Sequence, residues 1–464
     1  MARSALDRLP AHKRELARLL VARATASTLP AVVSGPAPRI GDGPVPATLT
    51  QARLWRYAQS TDPAIGTGSH AVRLCGPLDA RRLRHALTTV LRRHEALRTR
   101  LAEGPHGTLV QTVAREPDLS LRVHDLADAV DQAAEVARQV TDSALTPLDL
   151  AAGQGSAFRL LRLADDHHVL ILAAHLAVFD GWSSGVFLAD LAAAYRGELV
   201  GKQTAVQFPD FALWQHQWLD GPVGQGERSY WKGELAGVES DGAADGPFRR
   251  GYLPVGLDAG ITRSAFAAGA ARGATPFMTL LAALAVVLAR RTGREDIVIG
   301  TPTAGRSVPG LEASIGQFTT VVPIRVDCSG GPSFPELLGR TRTAVARALA
   351  HGSLPVDALF GDGRVAPPYS VLFALHNYPS TAFDLPGIDI DQIPGPPARH
   401  LELYSPAPAT ALACVGLVER DRQITGTAEF NRALASAGDV RALMADLEKT
   451  LYRAVSTPQN TPAL

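Results

Sequence analysis

Cysteine is scarce in this 464-residue chain: Cys75, Cys328 and Cys414 stand far apart and are odd in number. They offer no metal-ligand spacing and no disulfide framework. No metal site is expected, and a reducing, cytoplasmic setting is. Net charge is nearly absent too: 46 Lys and Arg meet 45 Asp and Glu, leaving +1. That balance gives no reason to expect a nucleic acid or an acidic partner. Long uncharged apolar runs are also missing. The N-terminus has no apolar signal core and charges interrupt every candidate span, so neither a membrane helix nor an export signal is expected.

The chain does hold one stretch around which the rest is arranged, Val169 to Ser183. Val169-Leu170-Ile171-Leu172-Ala173-Ala174 is apolar and long enough for a buried strand. It then runs into His175, Asp180, Gly181, Trp182 and Ser183, residues that a core strand does not need. A polar cluster at the end of a buried strand is where ligands and chemistry gather. Ser183 or Ser184 is expected to cap a helix beginning near Gly185.

The length exceeds that of one ordinary core, so two subdomains are expected. Leu6, Leu9, Leu16, Leu19, Leu20 and Ala22 recur at helical spacing, and Pro30 to Pro46 reads as a linker, giving a leader of helix and linker over 1–46. That helix either packs on the domain or docks a partner. Gly237 to Gly246 is rich in Gly, Asp and Ala. The boundary falls there, giving subdomains 47–237 and 238–464.

Within the first, helices are expected from Thr48, after Asp79 and over Val130 to Thr141, with strands over Ala71–Leu74, Leu109–Val113 and Leu119–Val123. His167-His168 reads as a solvated hairpin end. In the second, an apolar helix runs from Met278 to Leu288, with Thr275 as cap and Pro276 in its first turn. Strands are expected over Asp296–Gly300, Tyr369–Asn377, Leu401–Leu403, Leu412–Val418 and Ile424–Phe430. A closing helix, Val440–Val455, is capped by Asp439.

Several stretches, in order, resemble the condensation-domain superfamily of nonribosomal peptide synthesis. His175 to Ser183 is similar to its core motif His-His-x-x-x-Asp-Gly followed by Trp-Ser. Arg93-His94-Glu95-Ala96-Leu97-Arg98-Thr99 resembles its second motif, and Phe208 to Gln215 its fourth. Thr301 to Arg306 and Ile315-Gly316-Gln317-Phe318-Thr319-Thr320 resemble later ones. Leu176 stands where the family keeps its second His, the residue credited with catalysis. Phe-Thr-Thr leans toward the cyclising branch, in whose Asp-x-x-x-x-Asp motif the first Asp corresponds to His175.

The resemblance implies an α/β (α+β) fold of two chloramphenicol-acetyltransferase-like subdomains forming a V around a central tunnel. It implies substrates carried on the phosphopantetheine of acyl or peptidyl carrier proteins, supplied in trans, and a small-molecule amine or hydroxyl acceptor. No bound cofactor is implied. It also implies that Asp180 pairs with Arg306 as a structural pair. Strand alternation turns His175 away from the tunnel into the core, unless a bulge re-aims it. His376 shares a strand face with Ser370, Leu372 and Ala374 and is a second candidate base. Ser370 and Thr320 are expected to line the tunnel, Gly181 to make a tight turn, and Trp182 to pack. Leucine has no lone pair, so Leu176 cannot act as a base. Two readings follow: an acyltransferase with relocated base chemistry, or a degenerate domain that recruits carrier proteins or enzymes. Acyl transfer from free coenzyme A thioesters is a third.

Overall fold

The computed structural model describes residues 35–60, 63–199, 204, 206–239, 248–360, 366–376, 383–393, 395, 400–420 and 422–456. The expected leader helix at Leu6 to Ala22 and the C-terminal tail from 457 lie outside them. Two main sheets carry the fold. The first has five strands in the order Asp389–Ile393, Thr67–Cys75, His167–His175, Ser156–Ala164, Leu121–Asp125. Its pairs are antiparallel except the last, where Leu121 faces Phe158 in parallel. The second has six strands, ordered Thr320–Asp327, Asp296–Thr303, Val371–His376, Ala413–Arg420, Gln423–Asn431, Arg250–Leu257. A small sheet of Val45–Pro46, Leu109–Val113 and Thr99–Glu103 lies beside them. This is the mixed α/β architecture in two halves that the resemblance implied. Strand Asp389–Ile393, which sequence reading missed, crosses from the later half of the chain to pair with Thr67–Cys75.

Alternation along the strands sorts the core. On the central strand, Leu170, Leu172 and Ala174 join an apolar cluster that also takes in Phe318, Val321 and Leu372 of the second sheet's half. Val169 and Ile171, on the opposite face, join Val136 and Val140 of helix Gln132–Leu145. On strand Val371–His376, Val371 and Phe373 face the second half's own core. Its even positions therefore look toward the first half. Helix Pro276–Thr292 is buried along most of its length, from Met278 through Val287, with Thr275 accepting from the Met278 N–H as cap. Among the described residues, no helix is long and apolar enough to cross a membrane.

Local expectations fail in a few places, each for a visible reason. The described part of the expected linker is anchored: Arg39 donates to Glu95 at 2.7 Å and to Asp210 at 2.9 Å. Leu401–Leu403 is helical, within His400–Tyr404, because the buried Glu429 carboxylate accepts from the Leu401 N–H at its start. His168 is buried, not solvated; only His167 is at the surface, paired with Asp166. The closing helix begins at Ala437, with Asp439 reaching back to the Ser436 N–H and hydroxyl.

The second sheet tolerates no side chain at Gly426, where a Cβ would overlap the Gly416 carbonyl of the neighbouring strand. Backbone on both sides cannot yield as a flexible side chain would. Gly426→Ala is expected to destabilise the fold by about 1–3 kcal/mol, as overpacking does, read as a lower denaturant midpoint with unchanged slope.

Candidate active site

The central strand ends at His175, and the chain turns through Leu176 to Phe179 into a helix, Gly181–Arg196. Asp180 is the cap of that helix. Its backbone is extended and its carboxylate accepts from the Ser183 N–H at 2.9 Å. The helix thus starts four residues earlier than a Ser183 or Ser184 cap implies, because a carboxylate satisfies the first-turn amides better than the hydroxyls inside that turn. Gly181 is correspondingly the first helical residue rather than a turn glycine.

Asp180 also holds the two halves together. Arg306 donates to it twice, at 2.7 and 3.1 Å, with both side chains almost wholly buried. The Phe318 N–H and the Thr319 hydroxyl donate to the same carboxylate. The Ser183 hydroxyl donates to Asp180 and accepts from the Gly316 N–H. Such saturation is what a buried charge requires. Arg306 lies over the Phe318 ring at 4.3 Å and near Trp182 at 5.7 Å. Gly305 makes this possible. It has φ +65°, and a Cβ there would overlap the Phe318 carbonyl, so the chain can fold back tightly enough to aim Arg306 at Asp180. Trp182 packs and also donates its indole N–H to the Glu312 carbonyl at 2.9 Å.

His175 is enclosed, with 3% of its surface exposed. Its ring lies against Gly66, where a Cβ would overlap it. Its Nδ1 accepts from the Ala177 N–H at 3.1 Å, so the neutral ring carries its proton on Nε2. Burial pushes its pKa down to about 4. Leu176, one residue on, packs against the core cluster that spans the halves and lies close to Gly68.

Two cavities flank the first turn of helix Gly181–Arg196. One, about 480 Å³, is bordered by Trp182, Thr319, Ala374, His376 and Tyr404. Burial lowers the His376 pKa, so the imidazole is neutral at pH 7. The other, about 350 Å³, is bordered by His70, Leu172, Ser184, Leu188 and Arg420. In it His70 Nε2 stands 3.2 Å from Ser184 Oγ. Thr320 borders neither: alternation turns it the other way from Thr319, and its hydroxyl accepts from the Val356 N–H. Ser370 borders neither, and its carbonyl accepts from the Leu412 N–H. The structure thus gathers Asp180, Ser183, Trp182 and Arg306 in one network and sets His376 across a cavity from Trp182. His70 escaped sequence reading. Nothing in its spacing marked it, since its place beside Ser184 comes from the pairing of its strand with the central one.

Compared with known proteins, the chain matches a family model, Condensation domain, over residues 42–461. It is similar to malpibaldin synthetase of Mortierella alpina, 32% identical over 444 residues, which is 90% of this chain and 8% of that protein. The chain spans only 5% to 9% of the length of three other curated relatives it matches. Among solved structures it is similar to the X-domain from teicoplanin biosynthesis, with TM-score 0.80, 26% identity, and coverage of 93% of this chain and 99% of that one. The complex of the X-domain and OxyB from the same biosynthesis gives TM-score 0.77 at 25% identity, covering 94% of this chain and 98% of the matched chain.

Removing one partner of a saturated buried pair leaves the other uncompensated. Asp180→Ala is expected to cost about 3–5 kcal/mol of stability in chemical unfolding, and Asp180→Asn, which keeps an acceptor at the helix cap, less. His175 gives a pH signature. Its folded pKa of about 4 lies below its unfolded value near 6.5, so the unfolded state binds the extra proton. The stabilisation is complete above about pH 6.5 and is lost as pH falls toward 4, about 3 kcal/mol in all. His175→Asn is expected to flatten the slope of unfolding free energy across that window.

Proposed function

This chain belongs to the condensation-domain family, and we propose that it is an acyl-transfer member of it. It joins an acyl or aminoacyl thioester, held on the phosphopantetheine arm of a carrier protein, to an amine or hydroxyl acceptor, giving an amide or an ester. It works without a cofactor of its own, in a reducing cytoplasm that suits its three free thiols. The observation that carries this reading is the pair of cavities on the two sides of the helix capped by Asp180, one beside Trp182 and the other beside Ser184. Two reactants led in from opposite sides would meet at the motif, and holding them there supplies much of the rate.

Chemically, the acceptor nitrogen attacks the thioester carbonyl, the carbon–sulfur bond breaks and the thiolate leaves. The proton lost by nitrogen passes to a base and then to the thiolate. Leu176 cannot take it. His175 is walled in, and its Nδ1 is occupied by its own backbone. The neutral imidazole of His376, in the wall of the larger cavity, is the base this reading assigns.

A second reading is favoured by Leu176 and by the enclosed His175 together: a domain that binds carrier proteins or enzymes without catalysis. The likeness to an X-domain solved in complex with OxyB supports it.

Intact-mass detection of product, with an acyl-loaded carrier protein and candidate amines, separates the two. Turnover is expected in the wild type, with His376→Ala slowing it about 10²–10⁴-fold, as loss of a general base does, and His175→Ala changing it mainly through stability. Carrier binding with no turnover in any variant would establish the recruiting domain instead. If Leu176→His alone then released product, the cavities would be competent and only the base missing.

A further inference from the structure

A third cavity, about 350 Å³, is bordered by residues of the first half, none of them shared with the two cavities above. Four arginines border it: Arg98 from the turn Glu95–Arg98, Arg100 from strand Thr99–Glu103, Arg122 from Leu121–Asp125 and Arg159 from Ser156–Ala164. Two carboxylates, Glu116 and Asp118, also border it, and Glu116 is turned to Arg92 at 3.1 Å. Four guanidiniums against two carboxylates leave the cavity cationic.

Two features of this arrangement are costly in themselves. Arg122 and Arg159 are direct partners in the parallel strand pair, and like charges facing each other across a sheet repel. Burial and the Arg122 charge both lower the Arg159 pKa, and of its nitrogens Nη1 donates to the Gln139 side chain at 2.7 Å. Arg98 is nine-tenths buried. It donates to the Ala114 carbonyl through one terminal nitrogen, the other stands 3.8 Å from the Glu95 carboxylate, and its Nε has no hydrogen-bond partner. A buried donor left unmade is costly. The catalytic reading does not use any of these residues.

We propose that this cavity binds a small phosphorylated molecule, its phosphoryl dianion held between Arg122 and Arg159 and reached by Arg98. A phosphoryl group offers oxygens in several directions and so can answer guanidiniums from separate strands, which a planar carboxylate does less well. The volume is at the lower end of small-molecule sites and exceeds what one inorganic ion fills, so the ligand carries an organic part.

Isothermal titration of the whole chain with inorganic phosphate, adenosine 5′-monophosphate and citrate tests this. One saturable site is expected, preferring the phosphates to citrate. Arg122→Gln and Arg159→Gln each weaken it at least about tenfold, and Arg291→Gln, in the other half, leaves it unchanged. Tighter binding of the nucleotide than of phosphate identifies the organic part, and equal binding marks the phosphoryl group alone as what is read. Thermal melting gives an independent readout: phosphate raises the wild-type midpoint but not that of Arg159→Gln. No saturable binding at millimolar phosphate or nucleotide, stronger binding of citrate, or binding by both arginine variants equal to that of the wild type would overturn the proposal. None of these outcomes depends on acyl transfer.

Discussion

The buried pair of Asp180 and Arg306 is the interaction on which the site depends. One carboxylate caps the helix that follows the motif, accepts two guanidinium hydrogen bonds from the other half, and takes the Phe318 amide as well. Burying such a charge costs several kcal/mol. Its saturation by donors from three segments offsets that cost, and the geometry of all three is thereby set at once. The first turn of the helix, the fold-back at Gly305 and the loop at Phe318 cannot move independently. The walls of both flanking cavities are built from these same segments, through Trp182, Ser184 and Thr319.

That frame stands beside Leu176, a side chain that carries no lone pair. Neither Leu176 nor His175 borders either cavity. Leu176 lies beside Gly68 and the spanning core but carries no lone pair, whereas His175 has the lone pair but is folded against Gly66 with Nδ1 in use. A depressed pKa keeps His175 neutral, which suits a packed core histidine as much as a catalyst, so geometry decides between them. His376 and His70 are the imidazoles that border open volume beside the motif.

The strands were legible in the sequence wherever apolar periodicity was strong, as at Val169–Ala174 and Asp296–Gly300, and helix starts where Asp79 and Thr275 supply caps. The Asp180–Arg306 pairing came from the resemblance, since nothing in the spacing of two residues 126 apart reveals it. Strand Asp389–Ile393 was not legible. It is short, largely exposed and polar, and its place is set by pairing with Thr67–Cys75. Thr320, expected along the tunnel, borders neither cavity beside the motif, whereas its neighbour Thr319 borders the larger one. His70 stayed hidden because its significance comes from Ser184, brought near by the fold.

The central claim is that His175 belongs to the frame and not to the chemistry. Nitrogen-detected NMR titration of the folded chain tests it most directly, following the His175 ring from neutral pH downward. The account predicts a neutral ring with its proton on Nε2 throughout, charging only as pH approaches about 4, where burial has pushed its pKa. A His175 ring that titrates near its ordinary value of about 6.5, or holds its proton on Nδ1, would contradict it: the imidazole would then be open to solvent and substrate, and free to serve as the base.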